Sequence, residues 1–119
     1  KLLEQNDGPF KQQLDHYKYA ERFPAKSRQA YREQGEVFLS QLENKLSLHS
    51  YLSGEHLGQV DIAIFPFIRQ FAYVDKDWFD QLPYLNLQAW LTEIINSELF
   101  AYVMQKYDRW LKNSETQKF

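Results

Sequence analysis

The most constraining feature of the sequence is an apolar stretch from Gln59 to Val74 that repeats with the period of an α-helix. Apolar side chains recur three or four residues apart along it, at Val60, Ala63, Ile64, Phe67, Ile68 and Phe71. Ile62, Phe65 and Ala72 make the other faces apolar as well. A helix that is apolar on most sides has to be covered by its neighbours. We therefore predict a helical domain built around this segment, which we call the central helix.

Four further segments carry one apolar stripe each, so the sequence predicts an all-α bundle of about five helices. The first runs from Pro9 to Tyr19, with Gly8 and Pro9 suited to its first turn, although Leu2 and Leu3 leave open a start further upstream. The second runs from Pro24 to Leu48, and the third follows Pro83. The fourth follows Ser97, with a stripe of Phe100, Val103, Met104, Tyr107 and Leu111 and a polar tail after it. Only four Gly and four Pro occur in 119 residues, which is too few for the many turns of a sandwich or barrel. The length suits one domain spanning residues 1–119.

Composition excludes several classes of protein. Lys and Arg number 14 against 16 Asp and Glu, a formal charge of -2, which disfavours nucleic-acid binding because that needs a basic excess. Aromatic residues reach 17%, a content that excludes a mainly disordered chain. With no Cys, no disulfide or thiol chemistry is available. We expect neither a signal peptide nor a membrane-spanning run, and we predict a cytoplasmic protein with no membrane partner.

Catalytic and metal-binding motifs are not found. The three histidines, His16, His49 and His56, lack the spacing of a metal site. The acidic segment from Asp75 to Asp80 lacks the Gly and Glu positions of a calcium loop, so it is interpreted as a turn between helices. No nucleophile elbow or phosphate loop appears. We predict no catalytic residue and no metal ligand in this chain.

The start of the central helix carries capping signals. With Gly58 as N-cap, Asp61 occupies the third helical position, from which its carboxylate can accept a hydrogen bond from the Gly58 N–H. Leu57 and Ile62 stand at the two positions of a hydrophobic staple. These four residues are therefore predicted to be structural, and Gly58→Ser is expected to gain a few tenths of a kcal/mol. Pro66 should kink the helix.

The segment from Tyr51 to Phe67 resembles a known family. Its Tyr51-Leu52-x-Gly54 run, followed by Asp61 and Pro66, is similar to the signature that opens the central helix in the C-terminal domain of glutathione transferases. The run from Asn6 to Tyr19 is similar to bacterial members. That family usually has Ser or Thr at the N-cap, where this chain has Gly58. The resemblance implies that residues 1–119 are the helical second domain, without the thioredoxin-like N-terminal domain.

The resemblance also implies a function for the intact protein, in which the thiolate of glutathione, the co-substrate, attacks an electrophilic carbon. The thioredoxin-like domain would bind glutathione and activate its sulfur. This domain would shape the apolar electrophile site and part of a homodimer interface, and on its own it would bind no cofactor and be inactive. The first helix and the central helix would then leave an apolar surface incompletely covered.

Six residues are candidates for the substrate site. The family suggests that Phe10, Leu14 and Tyr17 line the pocket, and that Lys11, Lys18 and Arg69 contact an anionic thiol. The alternatives are core packing for the first three and ordinary surface charges for the others. For the whole domain, the alternatives are a non-catalytic docking module of the same fold, or an unrelated bundle that shares only the cap. The residues upstream of Lys1 would separate an enzyme from a docking module.

Overall fold

The computed structural model describes residues 2–97, 100–102 and 104–105. Its elements are α1 (Leu2–Gln5), a π-helical turn (Asn6–Phe10), α2 (Lys11–Lys18), a 3-10 turn (Ala20–Arg22), α3 (Arg28–Leu48), α4 (Gln59–Val74), α5 (Lys76–Asp80) and α6 (Leu85–Ile95). Residues 100–102 and 104–105 are also helical. The described residues contain no strand beyond one isolated bridge between Tyr51 and Gly54. The all-α prediction is confirmed.

Helix α3 follows the predicted stripe closely. Its buried residues are Tyr31, Gly35, Phe38, Leu39, Leu42 and Leu46. It begins at Arg28 and not at Pro24, because Ser27 is the N-cap and its hydroxyl accepts a hydrogen bond from Ala30 N at 3.1 Å. Residues 24–27 therefore form the turn that leads into the helix.

Helix α4 is the predicted central helix. Its buried residues are Asp61, Ile64, Phe65, Pro66, Phe67, Ile68, Phe71 and Ala72. Two members of the predicted stripe differ, since Ala63 is exposed and Val60 is half-buried, so one side of the first turns faces solvent. The helix continues through Pro66 without interruption.

The first helix starts upstream of Pro9, the alternative that Leu2 and Leu3 left open, but its Gly8–Pro9 region differs from the prediction. It begins at Leu2, and Gly8 and Pro9 lie in the π-helical turn and not in a first helical turn. Pro9 has no N–H to donate and its ring crowds the preceding turn. The π-helix is rare and occurs mostly as a single wider turn inside an α-helix, which is how it occurs here between α1 and α2. Asn6, which opens this turn, is fully buried.

The segment after α4 is not the predicted turn, since it forms the short helix α5. The Asp75 carboxylate caps this helix by accepting a hydrogen bond from Trp78 N at 3.2 Å. Phe79 is buried against the core. The predicted residues Val103, Tyr107 and Leu111 and the polar tail 112–119 lie outside the described residues.

Helices α3 and α4 approach closely at Gly35. A β-carbon built on Gly35 would lie 2.5 Å from Cε2 of Phe71. The Phe71 ring in turn packs against the rings of Phe10 and Tyr17, with centroids 5.4 and 4.8 Å away. This cluster fixes α2 and the π turn on the α3–α4 pair.

Helix α6 is capped by another helix. Its own N-cap, Tyr84, gives no side-chain cap. Instead the Glu43 carboxylate of α3 accepts hydrogen bonds from Asn86 N at 3.3 Å and Leu87 N at 2.8 Å. These are two of the N–H groups that a helix start leaves without partners, and a negative charge there also meets the positive end of the helix dipole.

We therefore expect Glu43→Ala to lower the free energy of unfolding by about 1 kcal/mol, the usual loss for a helix cap. Urea unfolding followed by circular dichroism measures it. Glu33→Ala is the matched control, because Glu33 is exposed on the same helix and should change stability by less than about 0.5 kcal/mol. Equal effects of the two substitutions would contradict a capping role for Glu43.

Candidate functional site

The Asp61 carboxylate joins the start of α4 to two other parts of the chain. Asp61 is 0% exposed. Its Oδ1 accepts hydrogen bonds from Leu52 N at 2.8 Å and from the Trp90 indole N–H at 2.9 Å. Its Oδ2 accepts from Ser53 N and Gly58 N, both at 3.1 Å. The sequence indicated only the Gly58 contact, because the other donors come from the preceding loop and from α6.

Ser53 replaces the side chain that the N-cap of α4 lacks. Glycine at position 58 has no side chain to accept a hydrogen bond from the first turn. Instead, Val60 N donates to the Ser53 hydroxyl at 3.2 Å. A β-carbon on Gly58 would lie 2.7 Å from Ser53 Oγ. The space of an N-cap side chain is therefore already occupied by Ser53, and the gain expected for Gly58→Ser from sequence is not available.

Gly58→Ser alone should thus destabilise the protein by about 1 kcal/mol, at the lower end of the cost of overpacking. Backbone strain is not the cause, because the extended conformation at Gly58 (φ -145°, ψ -164°) suits any residue. Adding Ser53→Gly removes the obstacle and should restore most of the loss. Thermal melts of the single and double variants test this, and a stabilising Gly58→Ser would contradict it.

Leu57 and Ile62, the predicted staple, are both half-buried and pack against the hydrophobic core. Backbone hydrogen bonding also begins there, since Ile62 N donates to Gly58 O at 3.1 Å. A direct contact between the two side chains stays a prediction.

The three predicted pocket residues are core residues in this chain. Phe10, Leu14 and Tyr17 are buried, as are Phe65 and Phe67. Phe10 packs on Phe38 with ring centroids 4.7 Å apart. Phe10 also lines a groove between α3 and the α1–α2 segment. A substrate contact by Phe10, Leu14 or Tyr17 stays a prediction.

Tyr17 is a poor candidate for activating a thiol. Its side chain is buried, and burial raises the pKa of its phenol, although the neighbouring Arg32 charge opposes this shift. A raised pKa means that more free energy is needed to form the phenolate. The hydroxyl also lies out of reach of solvent, so a bound thiol could reach it only after a rearrangement of the core.

The three predicted anion contacts all lie against aromatic or polar groups of α4. They are Lys11, with Nζ 4.9 Å from the Phe67 centroid, Lys18, with Nζ 3.0 Å from Gln70 Oε1, and Arg69, whose guanidinium lies 5.4 Å from the Tyr73 centroid. Lys11 and Lys18 thus follow the seam between α2 and α4. Contact with an anion stays a prediction for all three.

A groove of about 340 Å³ lies between α3 and the α1–α2 segment. We call it the glutamine groove, and its lining residues are Gln5, Pro9, Phe10, Gln13, Gln34, Val37, Phe38 and Gln41. None of them is charged. This groove was not predicted from the sequence, because glutamines spaced along two helices resemble any solvated face. The available signal was the spacing of seven residues between Gln34 and Gln41, which places both on one face of a helix.

A second groove, of about 380 Å³, is polar and lies between the end of α3, the following loop and α6. In it Tyr51 donates a hydrogen bond to Glu93 at 3.1 Å, which raises the pKa of the Tyr51 phenol. His49 Nδ1 lies 3.9 Å from Glu55. Within the described ranges, no group of three or more His, Cys, Asp or Glu residues is arranged to hold a metal ion.

None of the helices in the described part of the chain has both the length and the apolar character that crossing a membrane requires.

Searches of curated proteins and of solved structures returned no match. A family model described as the C-terminal domain of glutathione S-transferase matches residues 25–93, or 69 of the 119 residues. The match includes all of α3 and α4 together with Ser53, Gly58, Asp61 and Trp90. The chain therefore belongs to the family of glutathione S-transferase C-terminal domains.

Proposed function

We propose that this domain forms the electrophile-binding half of a glutathione-conjugating protein. The observation that carries the proposal is the family match over residues 25–93. The partner it implies is a thioredoxin-like domain, which would bind glutathione and supply the group that activates its sulfur. This domain would contribute the apolar wall of the substrate site, and the intact protein would act as a homodimer in the cytoplasm.

The seam between α2 and α4 is the part of the domain best suited to this role. Lys18 is held there by its hydrogen bond to Gln70, and Lys11 lies over the Phe67 ring. A positioned cation stabilises an anion better than a mobile one, because its orientation does not have to be established during the reaction. These lysines would attract the thiolate of glutathione, whereas the activation of the thiol is assigned to the other domain.

The chain by itself should show no glutathione conjugation above the uncatalysed rate, because binding glutathione and activating its thiol are assigned to the thioredoxin-like domain. Joined to its thioredoxin-like domain, it should conjugate a general electrophile such as a chloronitrobenzene. In that protein Lys18→Ala should lower kcat/KM about tenfold, since a hydrogen bond to a charged group contributes roughly 1.5 kcal/mol or more. Lys45→Ala, at an exposed site on α3, is the control. Glutathione-dependent turnover by residues 1–119 alone would refute the assignment of thiol activation to the thioredoxin-like domain.

A docking module is the second candidate, and the burial of Phe10, Leu14 and Tyr17 favours it. These three side chains are in the core, whereas the resemblance predicted them to line an open apolar pocket. Inactivity of the two-domain protein toward a panel of electrophiles, with glutathione still bound, would establish this alternative over the enzyme.

A further inference from the structure

One side of α4 is open to solvent. Ala63 and Tyr73 are exposed there, and Gln70 is half-buried. Gln70 follows Ala63 by seven residues and precedes Tyr73 by three, spacings that place the three side chains on one side of a helix. We call this side the open face of α4. The helix has one acidic residue, Asp61, and it is buried, so α4 itself brings no negative charge to the open face.

Two cations border the open face from different directions. On the side of α2, Lys18 Nζ donates a hydrogen bond to Gln70 Oε1 at 3.0 Å. On the other side, the Arg69 guanidinium lies 5.3 Å from the centroid of the Phe100 ring and 5.4 Å from that of Tyr73. Successive residues of an α-helix point about 100° apart. The two cations therefore occupy different sectors around α4, and Tyr73 points between them.

The thiolate of glutathione accounts for only part of this positive charge. In the proposed function the lysines of the seam between α2 and α4 attract the thiolate, which carries a single negative charge. Lys76 is already balanced, because its Nζ lies 2.6 Å from Asp80. Within the described ranges, no carboxylate forms an ion pair with Arg69. The open face thus has one positioned cation, Arg69, that is left for a second anion.

The guanidinium of Arg69 suits a carboxylate in particular. Aromatic rings attract its charge, but they are weak acceptors for its N–H groups. Nε of Arg69 is shielded from water and has no hydrogen-bond partner among the described residues, which costs free energy. A carboxylate can accept from two N–H groups of one guanidinium in parallel. After a small rotation of the half-buried side chain, such a ligand would supply the missing acceptor.

We propose that the open face of α4 binds aromatic electrophiles that carry a carboxylate. The carboxylate pairs with Arg69, the electron-poor ring lies against the Tyr73 ring, which is 52% exposed, and the reacting carbon lies toward Lys18. The inference rests on the proposed function and specifies its substrate class. In the conjugation of an aryl halide, the thiolate sulfur forms a bond to the ring carbon, and the halide leaves with the electron pair of the broken carbon–halogen bond.

A matched pair of compounds tests the proposal: 4-chloro-3-nitrobenzoate and its uncharged methyl ester. NMR titration of the chain without glutathione measures binding alone. The dissociation constant of the acid should be roughly tenfold lower than that of the ester, because only the acid forms a charge-assisted pair with Arg69. Arg69→Gln should abolish this preference. Lys45→Gln is the matched control, since it removes one positive charge from an exposed site on α3 and should keep the preference.

Conjugation by the two-domain protein gives a second measurement. The acid and the ester differ in intrinsic reactivity, so kcat/KM of each is divided by its uncatalysed rate constant. This enhancement should be roughly tenfold larger for the acid, and Arg69→Gln should remove the difference. Arg69→Lys retains the charge but not the parallel N–H groups, so it should keep part of the preference.

Three binding results would overturn the assignment: a wild-type chain that binds neither compound or both equally, an Arg69→Gln variant that still prefers the acid, and an equal loss of preference in Lys45→Gln. Conjugation of neither compound, with the binding preference intact, would reject the proposed function and leave the carboxylate site standing. Circular dichroism shows whether each variant is folded. If Arg69→Gln does not fold, the wild-type preference and Arg69→Lys decide.

Discussion

Asp61→Ala is expected to lower the free energy of unfolding by about 3 kcal/mol or more. The carboxylate accepts four hydrogen bonds, and its removal leaves the buried Leu52 N–H and the Trp90 indole N–H without an acceptor. Each buried donor that loses its partner costs roughly 1–3 kcal/mol. The free energy of unfolding from urea denaturation at neutral pH measures the loss, and near-ultraviolet circular dichroism reports the altered surroundings of Trp90.

Asp61→Asn separates the acceptor from the charge. Asparagine keeps one acceptor oxygen but brings two N–H donors into a site that already contains four donors, so its loss should be only slightly smaller than that of alanine. Asp77→Ala is the exposed control and should change stability by less than about 0.5 kcal/mol. A loss below 1 kcal/mol for Asp61→Ala would show that this carboxylate does not hold the loop and α6 on α4.

Of the four hydrogen bonds that Asp61 accepts, residue spacing at the helix start predicted only the one from Gly58 N. The pairing of Asp61 with Gly58 could be predicted, because two residues three apart at a helix start must be neighbours. Trp90 lies 29 residues away in sequence, and only the packing of α6 on α4 brings it near. Ser53 and Glu43 likewise cap helices to which they do not belong, and nothing in the spacing of a helix start identifies a cap from elsewhere.

The fold shows the same difference between features that are local in sequence and features that depend on how the helices pack. Apolar periodicity found α3, α4 and α6, because each buries a continuous stripe and the period of that stripe is visible in the chain. It missed α5, which has only five residues and therefore too few turns to show a period. Ala63 was placed in the core because it is apolar, but a helix inside a small domain still has one side without a neighbour. Only the arrangement of the other helices decides which side that is.

Gly35→Ala is expected to cost about 2 kcal/mol, within the range for inserting a methyl group into a packed core. The added β-carbon would lie 2.5 Å from Cε2 and 2.8 Å from Cζ of Phe71. The ring cannot easily move away, because Tyr17 and Phe10 pack on it. Gly8→Ala is the matched control. A β-carbon at Gly8 meets no atom within 4 Å, so alanine there should be neutral or slightly stabilising.

Phe71→Leu tests whether the ring is the cause. A leucine leaves room beside position 35, so Gly35→Ala should cost less in the Phe71→Leu background than in the wild type. The four proteins form a double-mutant cycle, and residues in contact typically show coupling of about 0.5–3 kcal/mol. Urea unfolding of all four gives the coupling energy. Additive effects would mean that α3 and α4 separate to admit the methyl group, and that Phe71 does not set their distance.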